Sequence, residues 1–223
     1  MVAFLRRLPL IDADAYRALA LRDMDVRPRS GRQVVMAQGS VEVASACVRC
    51  HGAEATGTAS RFVPILHGQP MEYLAAALEA YATGLRPSGI MQPIATGLTE
   101  DALRLVALYY ANLDRPPTRR SITDGAYQQS GRTIATEGVP AREIPPCLSC
   151  HGPDALPAFP SLAGQNQAYL ANQLQLWNKG VNLRSPGAQI MAPIARRLDD
   201  QQIEDVSAYF AHIVDPLEAS RAQ

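Results

Sequence analysis

The chain is almost without lysine: Lys179 is the only one in 223 residues, and the other basic side chains are arginines. A lysine-ringed docking face is therefore excluded, and any basic docking surface must be built from arginine. Excess charge is absent too. The 21 basic and 21 acidic side chains cancel to a formal net charge of zero, which removes the electrostatic footprint of a nucleic-acid binder. No apolar run approaches the roughly 18 to 20 residues of a membrane span, so no transmembrane helix is expected and only peripheral membrane association stays open. Aromatics are scarce at 6%, and a repeat unit of some 85 residues would be short of core material. Something else must supply the missing apolar mass.

What is there is a doubled motif. Cys47-Val48-Arg49-Cys50-His51 is answered by Cys147-Leu148-Ser149-Cys150-His151, and these two motifs consume all four cysteines, leaving none for a disulfide. Positions i, i+3 and i+4 share one helix face, so both thiols and the imidazole address one flat ligand. That is the chemistry of covalent haem attachment: two thioethers to the porphyrin and a histidine on the iron. A zinc ribbon would need a spacer of roughly 15 to 20 residues, whereas Cys50 and Cys147 are 97 positions apart. A thioredoxin-like pair would need a neighbouring βαβ pattern, and none is visible. Two covalent haem c groups are expected, bound through Cys47, Cys50 and His51 and through Cys147, Cys150 and His151.

The doubling extends along the chain. Ser30-Gly31-Arg32 is matched by Ser130-Gly131-Arg132, and Val34, Val35 and Ile134 mark the buried side of a short first helix that stops near Gly39 and Gly138. Pro64-Ile65-Leu66-His67-Gly68-Gln69 parallels Pro160-Ser161-Leu162-Ala163-Gly164-Gln165. Helices are expected over 71–82 and 167–178, stopping near Gly84 and Gly180, with Tyr73 and Tyr169 in equivalent places. Ile90-Met91-Gln92-Pro93-Ile94-Ala95 answers Ile190-Met191-Ala192-Pro193-Ile194-Ala195, and each half closes with a capped amphipathic helix, 99–113 and 199–213, that buries Leu103, Val106 and Tyr110 or Ile203, Val206 and Phe210. With no β-rich stretch, the fold class is all-α. The expected organisation is an N-terminal extension (1–29), a first domain (30–115), a proline-stiffened linker (116–129), a second domain (130–215) and a tail (216–223). The opening MVAFLRRLPLIDADAY has an arginine pair but few apolar residues before Asp12 and no small-residue cleavage site, so it does not read as a secretion signal.

Met91 and Met191 each follow their motif histidine by 40 residues, in the same isoleucine and proline frame. A methionine in an apolar stretch is usually core filler; two at matched distance from two haem histidines read as the second iron ligands. The metal ligands are then His51 with Met91 and His151 with Met191. Iron with six ligands has no open position for substrate, so no catalytic residues are expected and the chemistry is electron transfer. The neutral thioether and an apolar surround, here Ile90, Ile94, Ile190 and Ile194, raise the potential. The carbonyls of Pro64 and Pro160 are placed to accept the other N–H of each histidine. His67, whose repeat partner is Ala163, reads as a surface or edge residue, and so does His212.

The paired CxxCH motifs, the P-x-L-x-G-Q segments, the methionine frames and the final helices resemble class I cytochromes c, and the tandem form resembles the dihaem cytochrome c4 family over about Ser30 to Asp215. The resemblance implies two small helical domains around covalent haems, related by a pseudo-twofold axis with propionate edges facing each other. It also implies a periplasmic electron carrier between a quinol-oxidising complex and a terminal oxidase. Export then requires a signal that was removed or that lies upstream. The extension and His67 depart from the family pattern; a histidine there is similar to mitochondrial-type cytochromes c. The competing readings are an electron-transfer subunit of a dehydrogenase complex and a dihaem peroxidase-type enzyme. The second needs an iron that opens, which two methionine frames argue against.

Overall fold

A computed structural model describes residues 44–52, 58–114 and 126–213. Among them there are only helices and one isolated antiparallel bridge, Val139 to Ile144. The first half contains α1 (Val48–His51), α2 (Met71–Ala82), α3 (Met91–Thr96) and α4 (Glu100–Ala111). The second contains α5 (Ala126–Glu137), a 3-10 turn (Pro140–Arg142), α6 (Leu148–His151), α7 (Gln167–Asn178), α8 (Pro186–Ala195) and α9 (Asp200–His212). The extension, the helix expected around Val34 and Val35, Gly39 and the tail lie outside the described residues. So does most of the linker, although α5 already begins at Ala126.

Local chemistry sets the ends of these elements. Thr99 caps α4 by accepting a hydrogen bond from the Ala102 amide, and Asp199 forms a reciprocal capping box with Gln202 on α9. At the far end of α5, Gly138 turns the chain at φ 76°, where a Cβ would sit 2.2 Å from the Ile144 carbonyl oxygen. The methionine frames are helical rather than looped. Met91 opens α3, helped by Ser88 Oγ, which accepts from the Met91 amide at 3.0 Å. Met191 sits later in α8, because Ser185 caps an additional turn started by Pro186.

Each half has its own core. In the first, Leu74, Val106, Ala107, Tyr109, Tyr110 and Leu113 pack together; in the second, Ile134, Ile144, Leu170, Leu198, Ile203, Val206 and Phe210 do. The six residues expected on the inner faces of the closing helices are all buried, at about 1.5 to 3 kcal/mol for a large apolar side chain. Helix α5 crosses α9 closely enough that a Cβ on Gly131 would lie 2.2 Å from the Asp205 carbonyl oxygen. Only glycine permits that approach.

Candidate functional site

One helical turn builds each site. Cys47 caps α1, and its carbonyl accepts from the amides of Cys50 at 3.1 Å and His51 at 2.9 Å, so one backbone oxygen fixes all three motif residues. Cys147 repeats this on α6 with Cys150 at 3.2 Å and His151 at 3.0 Å. None of the four cysteines forms a disulfide. Burial pushes Cys47 up to about 11, with Cys50 adding to the effect, and burial likewise raises Cys147 to about 11, the opposite direction from the depressed thiol pKa of a redox-active CxxC pair.

The histidines are held identically. His51 Nδ1 lies 2.9 Å from the Pro64 carbonyl oxygen and His151 Nδ1 lies 2.8 Å from that of Pro160. A carbonyl only accepts, so Nδ1 carries the proton in both rings and Nε2 keeps its lone pair for a metal. Both rings are buried, and burial lowers their pKa below the ordinary 6.5 despite the carbonyl contact, which keeps them neutral as a ligand must be. Paired thiols and a neutral, oriented imidazole on one turn fit a covalent haem. Met91 and Met191 are half-buried at the positions described above. Among the described residues no cluster of three or more His, Cys, Asp or Glu could hold a metal ion, so a zinc site finds no support there.

One expectation changes. His67 is not a surface residue: it is fully buried, edge-on to Tyr110 with ring centroids 5.6 Å apart, and Tyr110 in turn stands 6.3 Å from His51. The second half fills the same slot with Ala163 and Phe210, so the histidine and the phenol replace an alanine and a phenyl ring as a pair. Ile90, Ile94 and Ile190 are exposed, and of the four framing isoleucines only Ile194 packs on a core. His212, the other bland histidine, is half-buried at the end of its helix, an edge position, with Nδ1 2.7 Å from the Ala208 carbonyl of its own helix.

The halves meet through two glutamines that sequence reasoning passed over. Gln69 Nε2 donates to the Ser161 carbonyl at 2.8 Å while its Oε1 accepts from the Ser161 amide at 3.0 Å. Gln165 does the same to Ile65, at 2.9 and 2.8 Å. Gln69 and Gln165 are repeat equivalents, as are Ile65 and Ser161, so the junction is isologous: each half grips the other with the same side chain. Both glutamines are buried, and each gripped residue directly follows the proline that holds a motif histidine. The signal available in the sequence was the repeated Gly-Gln at the end of the P-x-L segments. Asn166 adds bonds to the Val63 carbonyl at 2.6 Å and Thr58 Oγ1 at 2.9 Å.

Among the described residues no helix is long and apolar enough to cross a membrane. The family model described as "Cytochrome c" matches residues 130–213, and that described as "Cytochrome C oxidase, cbb3-type, subunit III" matches residues 35–109. A thiosulfate dehydrogenase electron acceptor of Stutzerimonas stutzeri is 33% identical over 199 residues, covering 88% of this chain and 92% of that protein. A cytochrome c4 of Pseudomonas aeruginosa is 30% identical over 170 residues, covering 74% and 83%. The solved structure of Acidithiobacillus ferrooxidans cytochrome c4 superposes with a TM-score of 0.67 at 32% identity, over 76% of this chain and 99% of that one.

Proposed function

The chain belongs to the dihaem cytochrome c4 family, and on that premise we propose that it relays single electrons from a respiratory donor complex to a terminal oxidase or other acceptor, with His51 and Met91 on one iron and His151 and Met191 on the other. It carries two covalent haem c groups and is an electron-transfer protein rather than an enzyme. The haem supplies a one-electron ferric/ferrous couple; the chain supplies everything that tunes and orients it. Cys47 and Cys50, like Cys147 and Cys150, fix the porphyrin to a single turn. Pro64 and Pro160 hold the imidazoles in the tautomer that presents Nε2, and their carbonyls raise its basicity. Met91 and Met191 would supply the second ligand of each iron, leaving no position for small ligands and favouring the ferrous state. The observation that carries this reading is the identical Nδ1 anchoring of two buried neutral histidines, each 40 residues ahead of a matched methionine.

The family resemblance and the thioether chemistry support a periplasmic location, with a quinol-oxidising complex as donor. A second reading has a specific observation behind it: the Stutzerimonas relative is named as the electron acceptor of a thiosulfate dehydrogenase. Under that reading the chain is the dedicated electron-transfer partner of a dehydrogenase. Optical spectroscopy of the purified ferric protein tests the shared core of both readings. Two methionine-to-iron far-red bands and inertness to carbon monoxide and peroxide are expected; turnover of peroxide by the native protein would refute it. Co-purification with a dehydrogenase after gentle extraction separates the second reading from the first.

A further inference from the structure

Arg86 stands at the junction, and among the described residues no carboxylate pairs with it. It leaves the connection between α2 and α3 and reaches across to α7 of the other half, where Nη2 donates to the Tyr169 hydroxyl at 3.2 Å and to Gln173 Oε1 at 2.7 Å. Its Cζ lies 4.8 Å from the centroid of the Tyr81 ring, and the Tyr73 hydroxyl adjoins it as well. Among the described residues, the ion pairs join Arg104 to Glu100, Arg142 to Asp199 and Arg197 to Glu143, all on the exposed surface, and none involves Arg86. Withdrawing part of a guanidinium from water carries a desolvation penalty unless an anion compensates. Phenols and an amide offer only partial charge, and they leave part of the five-donor fork for another acceptor.

The surroundings say where that acceptor comes from. Arg86 lies five residues before Met91 in the sequence. Tyr169 opens the helix that follows Gln165, whose amide grips Ile65 beside the proline holding His51. The guanidinium thus ties the connection that leads into the methionine frame of the first site to the helix that follows a junction glutamine. An arginine from the corresponding connection of the second half, Arg184, also crosses the junction, yet donates to the Gly84 carbonyl at 2.8 Å in an exposed position. The two arginines are therefore not equivalent: one is solvated and bound to backbone, the other enclosed by aromatic rings and short of an anion.

We propose that Arg86 binds haem propionate at the junction between the halves, and that its charge raises the reduction potential of the iron whose haem it contacts. The inference rests on the dihaem reading and assigns it a positioning residue. A propionate is the anion that a covalently fixed haem delivers to a set place, and an arginine fork matches carboxylate geometry in two parallel bonds. A fixed cation near the haem favours the ferrous state because the incoming electron is attracted to it. Removing the cation shifts the couple toward ferric.

The test uses the haem-loaded protein and the variants Arg86→Gln and Arg86→Lys, titrated potentiometrically against a reference couple. Arg86→Gln should move the electron-exchange equilibrium of one haem at least about tenfold toward ferric, equivalent to about 59 mV for one electron, and Arg86→Lys should restore most of that shift. Unchanged potentials in Arg86→Gln would overturn the proposal. So would failure of lysine to restore the shift, which would mark a packing role. If wild-type potentials move when inorganic phosphate replaces chloride at fixed ionic strength, the acceptor is a free anion and the proposal is also overturned. Should Arg86→Gln not accumulate, Gln173→Glu gives the guanidinium a competing carboxylate with the arginine kept; lowered potential supports the proposal and an unchanged one refutes it. A wild-type spectrum without the methionine band would overturn the dihaem reading itself, whereas unchanged potentials with the band present sink only the role of Arg86.

Discussion

Replacing Gln69 tests whether the junction is held by side chains acting as peptide groups. Its amide makes two hydrogen bonds to the backbone of Ser161, at 2.8 and 3.0 Å, from a position only 4% exposed. At about 1 kcal/mol net per bond, Gln69→Leu loses about 2 kcal/mol, and up to about 4 if the Ser161 amide and carbonyl are left buried without partners. That is a large part of the roughly 5 to 15 kcal/mol a domain possesses. Gln69→Glu is sharper, because the volume is kept and one donor is lost. The introduced carboxyl still accepts from the Ser161 amide but places an oxygen against the Ser161 carbonyl. Burial and that repulsion raise its folded-state pKa above the ordinary value of about 4.3. The sign follows from linkage: a raised carboxyl pKa means the folded protein holds the proton longer than the unfolded chain does. The variant is thus nearest to wild type below about pH 4, and its deficit grows as pH rises through the folded-state pKa. Urea unfolding of wild type, Gln69→Leu and Gln69→Glu at several pH values reads this out as a difference between proteins. A Gln69→Leu protein within about 0.5 kcal/mol of wild type, or a Gln69→Glu deficit flat from pH 4 to 8, would refute the clamp.

Gly131→Ala should cost about 1 to 3 kcal/mol in thermal or urea unfolding, since its Cβ meets the Asp205 carbonyl at 2.2 Å and two helices must part. His67→Ala should cost about 2 to 4 kcal/mol by emptying the slot against Tyr110 while leaving both methionine bands in the spectrum; loss of a band would show that His67 supports methionine ligation. Met191→Ala should open one iron and create a single carbon monoxide site per protein, detected by titration of the reduced form.

Much of the fold was legible because its signals are local. The periodic apolar residues of 71–82 and 167–178 end at Gly84 and Gly180, and α2 and α7 have those bounds. Thr99 and Asp199 announced the closing helices by type alone, since a short polar side chain ahead of an amphipathic run satisfies the orphan amides of the first turn. His67 was misread because its repeat partner is an alanine. Taken singly, that position looks dispensable. The compensating change is at Tyr110, opposite Phe210, and only the three-dimensional contact shows the two differences to be one. Gln69 and Gln165 escaped notice for another reason: a glutamine after a loop glycine has no periodicity, and its partners are backbone groups 92 and 100 residues away. Arg86 likewise acquires meaning only from α7, which it meets across the junction.

The two halves agree and differ in separate places, and the register of the methionines explains why. Met91 precedes Glu100, the first residue of α4, by the same interval that separates Met191 from Asp200, the first residue of α9. The extra residues of the second half all lie before Met191 and make an added turn of α8 capped by Ser185. Each methionine is therefore placed from its C-terminal side, by the closing helix whose buried face belongs to the core. Segments on the N-terminal side are free to change length, because a longer loop costs little in closure entropy. Those free segments carry Arg86 and Arg184, the two arginines that cross the junction. Repetition is thus strict where each half presents its histidine and methionine and where Gln69 and Gln165 clamp the junction, and relaxed in the segments that lead into the methionines. A device that makes two copies of one site unequal has to be built in the relaxed region, and that is where the half-buried Arg86 stands against the solvated Arg184.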